Sequence, residues 1–202
     1  MKEFWEVRYD GPDYAYGKKP NVYFKQQIDT LTPGKILLPA EGEGRNAVYA
    51  AEKGWEVYAY DFSTNAHKKA MALAREKCVE IKYQIASLSQ IVFEENFFDA
   101  IALIYVHFPD AVRTQNHHRL STFLRKGGTV ILEAFSGSHL KYQKINPSVG
   151  GPKLSAQLYT EGKLKKDFDG FHFLNLKEEE ITLEEGNYHR GTTKVMRMHA
   201  LK

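Results

Sequence analysis

A glycine pair with an acid seventeen residues further on, a histidine closing an apolar run, and a Tyr-His-Arg triplet near the carboxyl end could do chemistry in this chain. The first lies in ILLPAEGEGRNAVYAAEKGWEVYAYD, residues 36–61. Gly42 and Gly44 permit positive φ and close backbone approach, and Ala47, Val48, Ala50 and Ala51 give the following segment a helical apolar face. Backbone amides at the start of such a helix face the ligand. Asp61 falls at the tip of the next apolar run, where an acid meets ribose hydroxyls. This is half of a nucleotide site. The histidine is His107, in FDAIALIYVHFP, and the triplet is Tyr188-His189-Arg190, which brings an aromatic ring, an imidazole and a planar guanidinium fork together.

These residues need elements to position them. Ile36 to Leu38 is apolar without alternation, as a strand buried on both faces should be, and Pro39 fits only at its end. Trp55 to Tyr60 reads as a second strand, Val79 to Ala86 as a third, Phe98 to Val106 as a fourth and Thr129 to Phe135 as a fifth. Between them, Ser63 can cap a helix running to about Lys77, Asp110 to Leu124 carries a helical pattern, and Lys126-Gly127-Gly128 turns the chain. The alternation predicts a parallel α/β sheet. Residues 136–158 shift to Gly, Ser, Lys, Pro and Asn and read as an irregular excursion at the active face. After a short helix from about Glu161 to Phe168, the rest alternates as two antiparallel strands joined near Glu185 to Gly191.

Ligands of an open α/β sheet sit outside the strand carboxyl ends. Tyr105, His107 and Pro109 meet that test, as does the turn bearing Tyr188, His189 and Arg190. His107 could accept a proton or hydrogen-bond the backbone, and the residues alone leave both open. His117 and His118 are adjacent, so a helix points them in different directions, and both read as surface residues unsuited to metal.

At 202 residues the chain reads as one domain, 1–202, with 43% hydrophobic and 26% charged residues, the balance of a soluble globular protein. No apolar run approaches the roughly 20 residues needed to cross a bilayer, and MKEFWEVRYD lacks the core of a signal peptide, which points to a cytoplasmic protein. The lone Cys78 excludes an internal disulfide and reads as an ordinary strand-entry residue. A net charge of +3 without a Lys/Arg block gives no footprint for nucleic acid; Lys163, Lys165 and Lys166 read as a solvated helix face.

Gly42, Gly44 and Ala47 with Asp61 also satisfy the dinucleotide fingerprint, which keeps a nicotinamide oxidoreductase open. Against it stand the missing second mononucleotide half and the terminal hairpin. EGEGRNAVYAAEKGWEVYAYDFS, IYVHFP, LRKGGTVILEAF and EGNYHRG resemble class I S-adenosylmethionine-dependent methyltransferases, and the nearest branch is the tellurite-resistance and thiopurine methyltransferases. The resemblance implies a Rossmann-like seven-stranded sheet, mostly parallel, with an antiparallel last strand. It implies S-adenosylmethionine as cofactor, no metal, and a small-molecule acceptor such as a thiol or a selenium or tellurium oxyanion, in a monomer or homodimer. A non-catalytic module that binds S-adenosylmethionine is the remaining alternative.

Carried onto this chain, the resemblance places Asp61 on the ribose, Phe62 on adenine, and Ser87 and Leu88 at the adenine edge. The first-strand acid of many members is absent, its place and the next two being Leu38, Pro39 and Ala40, so Glu41 is the candidate partner of the methionine amino group. Arg45 and Asn46 either steady the carboxylate end of the cofactor or cap the helix. Tyr105 stands at the cofactor, and Tyr14-Ala15-Tyr16-Gly17, within an N-terminal cap over residues 1–30, reads as a lid whose Tyr16 faces the acceptor together with Tyr188. A His-Arg pair serves catalysis in the late hairpin of tellurite methyltransferases, and His189-Arg190 matches it.

Overall fold

The computed structural model describes residues 2–202. Helices α1 (Lys2–Arg8) and α2 (Val22–Ile28) precede strand β1 (Lys35–Pro39). There follow α3 (Arg45–Glu52), β2 (Glu56–Asp61), α4 (Thr64–Glu76), β3 (Lys82–Ile85), β4 (Phe98–Ile104), α5 (Asp110–Phe123) and β5 (Leu124–Phe135). The chain ends with α6 (His139–Ile145), α7 (Glu161–Asp167), β6 (His172–Glu185) and β7 (His189–Leu201). All seven strands form one sheet in the order β3-β2-β1-β4-β5-β7-β6. β1 to β5 are mutually parallel, while β7 runs antiparallel to both β5 and β6.

The uniformly apolar strands do what their composition predicts. Leu37, Ile101, Leu103 and Leu132 pack on one face against α5 and α7, through Leu120, Phe123, Leu164 and Phe168. Ile36, Leu38, Ala100, Ala102 and Ile131 pack on the other against α2, α3 and α4, through Phe24, Ile28, Val48, Ala70 and Leu73. With both faces buried, neither register nor strand direction has freedom, and the carboxyl ends of β1 and β4 sit side by side at the point where strand order reverses. Both ends bear the left-handed backbone that non-glycine residues avoid, Ala40 with φ 50° and Tyr105 with φ 55°.

Several expectations are revised. The third strand shrinks to four residues, β3, because it lies at the sheet edge with β2 as its sole ladder partner. Lys126-Gly127-Gly128 does not turn the chain before the fifth strand but lies within β5, where Lys202 closes on it by backbone bonds to Gly127 and Gly128. The excursion at 136–158 is not loose: it holds α6 and is pinned to β7 by a bond between His139 Nδ1 and the Thr193 hydroxyl at 2.6 Å. Cys78 is exposed at the end of α4 with φ 55°, rather than entering a strand.

The largest revision concerns His117, which is fully buried instead of at the surface. Its Nδ1 meets Asp167 Oδ2 at 2.9 Å, Arg113 Nε donates to the same oxygen at 2.5 Å, and the Tyr159 hydroxyl stands 3.3 Å from Nε2. Hydrogen bonds from His117, Arg113 and Thr114 outweigh the cost of burial and hold the Asp167 carboxyl well below its usual range, locking α5 to α7. Among the described residues no helix is long and apolar enough to cross a membrane.

Candidate active site

The loop after β1 carries the nucleotide features. A Cβ on Gly44, at φ 85°, would lie 2.6 Å from Ala70 Cβ, so only glycine lets α3 start this close to α4. Gly44 has no side chain to cap α3, and Glu41 does so instead: its Oε1 accepts from Asn46 N at 2.9 Å and Ala47 N at 2.7 Å. Burial pushes the Glu41 carboxyl up to about 7 against the pull of these amides and Arg45. Asp61 lies at the tip of β2, only 6% exposed, accepting from Gly42 N at 3.2 Å and Ser63 N at 2.9 Å. Burial raises its pKa. Beside it an open cavity of about 410 Å³ is lined by Phe62, Ile85, Ala86, Ser87, Gln90 and Lys2. The Ser87 hydroxyl is turned onto Gln90 Oε1 at 2.8 Å, and Leu88 packs against the main core rather than lining this cavity.

The N-terminal segment roofs this loop. Glu6 accepts from the Ser63 hydroxyl at 2.8 Å, Thr64 N at 2.8 Å and Asn65 N at 3.1 Å, capping α4 from fifty-odd residues away. Tyr9 stands over Gly42, where an added Cβ would meet its hydroxyl at 2.9 Å. Glu43 takes Lys69 Nζ at 2.8 Å, and Ala15 O accepts from Asn187 N at 2.9 Å. Residues 9–17 thus join the glycine loop to the hairpin turn.

At that turn the register of β6 and β7 pairs Glu185 directly with His189 across Gly186, Asn187 and Tyr188. His189 Nδ1 lies 2.9 Å from Glu185 Oε2, and Arg45 Nη2 donates to the same oxygen at 3.0 Å. Asn21 Nδ2 donates to Oε1 at 3.1 Å. Burial alone would raise the Glu185 carboxyl; Arg45 and His189 instead bring it down to about 2. His189 is buried, which lowers its pKa despite the carboxylate. Its ring is enclosed by Tyr16 at 4.5 Å, Tyr105 at 4.6 Å and Phe135 at 5.3 Å between centroids. Its Nε2 makes no hydrogen bond among the described residues.

The other expected site residues separate into two groups. Tyr16 and Tyr105 join His189, with Tyr105 donating to Glu133 at 2.9 Å, while the exposed Tyr188 reaches the group through Tyr16, 6.2 Å away between centroids, and lies 3.7 Å beneath the Arg8 guanidinium. Arg190 and His107 do not. Strand alternation sends Arg190 to the opposite, exposed face, where its Nε donates to Gly186 O at 2.7 Å; the guanidinium beside His189 is that of Arg45. His107 spends both nitrogens on backbone, Nδ1 donating to Gln157 O at 2.7 Å and Nε2 accepting from Phe135 N at 3.3 Å, while burial lowers its pKa to about 4. Asn46 serves the frame through Oδ1, which accepts from Asn21 N at 2.9 Å. Glu185, Asn21 and Glu133 are the residues missed; only Glu185 had a signal, its place four residues before His189 across a short G-N-Y turn.

Residues 36–128, the stretch that builds this cleft, match the model of a methyltransferase domain. The match covers a little under half of the chain. Among solved structures, the chain superposes with a TM-score of 0.79 on a protein solved in work on the conversion of a disulfide bond into a thioacetal group during echinomycin biosynthesis. That pair is 16% identical, over 100% of this chain and 91% of the other. TehB from Haemophilus influenzae gives 0.72 at 18% identity, over 100% of this chain and 66% of that one. The magnesium protoporphyrin IX methyltransferase ChlM from Synechocystis PCC 6803, with bound S-adenosylhomocysteine, gives 0.66 at 17%, over 99% and 94%. Identities this low speak to fold alone, and no curated protein matches the chain. The Gly42–Gly44 loop, the Asp61 tip and the cavity beside Phe62 are features suited to a nucleotide cofactor.

Proposed function

We propose that the protein methylates a small molecule at a soft atom, a thiol or a selenium or tellurium oxyanion, with His189 as general base. The observation that carries this reading is the unpaired His189 Nε2 inside an enclosure of Tyr16, Tyr105 and Phe135. S-adenosylmethionine, when bound, supplies an electrophilic methyl group on a sulfonium. Asp61 would hold the ribose hydroxyls, Phe62 and Ser87 the adenine, and Glu41, through the oxygen not spent on α3, the methionine amino group. Gly42, Gly44, Arg45 and Asn46 shape the loop around them. Transfer is an in-line displacement that needs alignment and exclusion of water more than a nucleophilic side chain. Tyr16, Tyr188 and the Ala15–Gly17 segment would align the acceptor and cover it, and His189 would take the acceptor's proton on Nε2 as the new bond to methyl forms.

Rings 4.5–5.3 Å from the imidazole favour a compact acceptor. The fold's likeness to a protein solved in work on disulfide-to-thioacetal conversion supports sulfur chemistry. Against a nicotinamide oxidoreductase stands the position of β7, which runs antiparallel beside β5 where the parallel strands of a second mononucleotide half would continue. Isothermal calorimetry tests the cofactor. S-adenosylhomocysteine should bind at micromolar concentration with no binding of NAD or NADP, and Asp61→Ala should weaken it by roughly 10- to 150-fold, the loss of charge-assisted bonds worth about 1.5–3 kcal/mol. Binding of NAD instead, or an unchanged affinity in the variant, would place the cofactor and the chemistry elsewhere.

A further inference from the structure

The turn between β6 and β7 is three residues long, so the last residue of one strand and the first of the next face each other as a cross-strand pair. That pair is Glu185 and His189. Glu185 is the meeting point of three donors from three elements: Asn21 at the head of α2, Arg45 at the head of α3, and His189 itself. A carboxylate flanked by a guanidinium stays ionised and can only accept, so the imidazole nitrogen that faces it must carry its hydrogen. The proton of neutral His189 then lies on Nδ1, and the lone pair is left on Nε2. Were Arg45 absent, Glu185 could itself take a proton and compete with the imidazole. Shared between them, it orients the ring without taking part.

The groups facing His189 from every side fit this reading. Glu185 on β6 is the near anion; Arg45 on α3 and Arg8 on α1 are the near cations. Tyr16 and Tyr105 are phenols held neutral by burial, and Glu133 on β5 is engaged by Tyr105, Asn21 and Arg197. His107 and His139, kept uncharged by burial, stand beyond Phe135.

We propose that Glu185 is a positioning residue: it holds His189 as the Nδ1–H tautomer with its Nε2 lone pair presented to the acceptor, and through Arg45 it ties that orientation to the head of the cofactor helix α3. The proposal rests on the reading of His189 as the base. Its test does not require the acceptor to be known. Full-length protein labelled with ¹⁵N-histidine reports each ring's tautomer and proton-binding midpoint in long-range ¹H–¹⁵N correlation spectra, and His189 is assigned by the signal that His189→Gln removes.

The wild-type signal should show a protonated Nδ1 and a bare Nε2 throughout the neutral range. In Glu185→Gln the carboxamide can meet Nδ1 with either its oxygen or its NH₂, so the tautomers should mix, and loss of the anion should lower the midpoint by about one pH unit. A wild-type ring protonated on Nε2, or a variant with both tautomer and midpoint unchanged, would overturn the assignment. The wild-type measurement decides the matter even if the variant does not fold. Failure of the methyltransferase reading has a separate signature, absence of S-adenosylhomocysteine binding with the histidine spectra as described.

Discussion

Two regions of this protein are built from the same three groups, a guanidinium, an imidazole and a carboxylate. At α5 and α7, Arg113 and His117 share the carboxylate of Asp167; at the hairpin turn, Arg45 and His189 share that of Glu185. In both, the histidine turns Nδ1 to the acid, burial lowers the imidazole's pKa, and the acid is held below its usual range. They differ at the other nitrogen. Nε2 of His117 is closed off by the Tyr159 hydroxyl at 3.3 Å under a core of aromatic rings, whereas Nε2 of His189 has no hydrogen-bond partner among the described residues. Residue types therefore do not separate a strut from a reactive group; an unspent nitrogen beside a cofactor cleft does.

The most direct way to break this comparison is to remove the open nitrogen. His189→Gln should keep S-adenosylhomocysteine affinity while losing turnover on the acceptor by about 10²- to 10⁴-fold, the range of a general base. Binding and rate measured on one preparation decide it, and turnover within tenfold of wild type would make the open nitrogen incidental. The closed triad should act on stability instead. Asp167→Ala leaves His117 buried without its acid and Arg113 with Asp110 alone, and should cost roughly 1–3 kcal/mol, read by urea unfolding, with cofactor affinity retained while the protein is folded.

The same variant sharpens the pH behaviour. Both acids have depressed folded pKa values, so the stability they contribute is present above the unfolded values of 3.8 and 4.5 and is lost as pH falls below them, Glu185 down to about 2. Both imidazoles are lowered from 6.5, so acidification below that value also favours the unfolded chain. Wild type should lose stability on going from pH 7 to pH 3; in Asp167→Ala the share of that loss due to the acid disappears near pH 3, while His117, without its anion, is lowered further and adds to the loss below 6.5. The smallest effect belongs to Arg190. Exposed and bonded to its own turn, it should tolerate Arg190→Ala with turnover changed by less than about threefold; a larger loss would mean that the guanidinium reaches the acceptor after all.

What could be read from the chain was local or periodic. Leu37 and Leu38 bury opposite faces of one strand, Ser63 caps the helix it precedes, and Gly42, Gly44 and Asp61 lie together because two adjacent strands end together. Tyr16, Tyr105, Tyr188 and His189 were reachable because each sits at a strand end, in the turn or in the segment across it. The triad at Asp167 was not, since Asp167 stands fifty or more residues from Arg113 and His117 and only the packing of α5 on α7 joins them. Nor was the capping of α4 by Glu6, which mimics a local N-cap from another part of the chain. Arg190 was placed beside His189 by a family pattern that treats neighbours in sequence as neighbours in space, which a strand's alternation denies.

The position of β7 also orders the events of folding. β6 has no ladder partner except β7, and β7 must first lie along β5, so the fourteen residues of β6 cannot be held in the sheet until the strand that follows them has docked. Contacts so distant in sequence form slowly. The half of the cleft around Asp61 can be assembled from residues 36–61 and their neighbours, and the Glu185–His189 pair can form within its hairpin, whereas Phe135 and Tyr105 enclose that pair only once β7 has docked on β5. A partly unfolded chain would thus keep the loop around Asp61 and the hairpin turn as separate pieces, and the enclosure of His189 would be the final feature to appear.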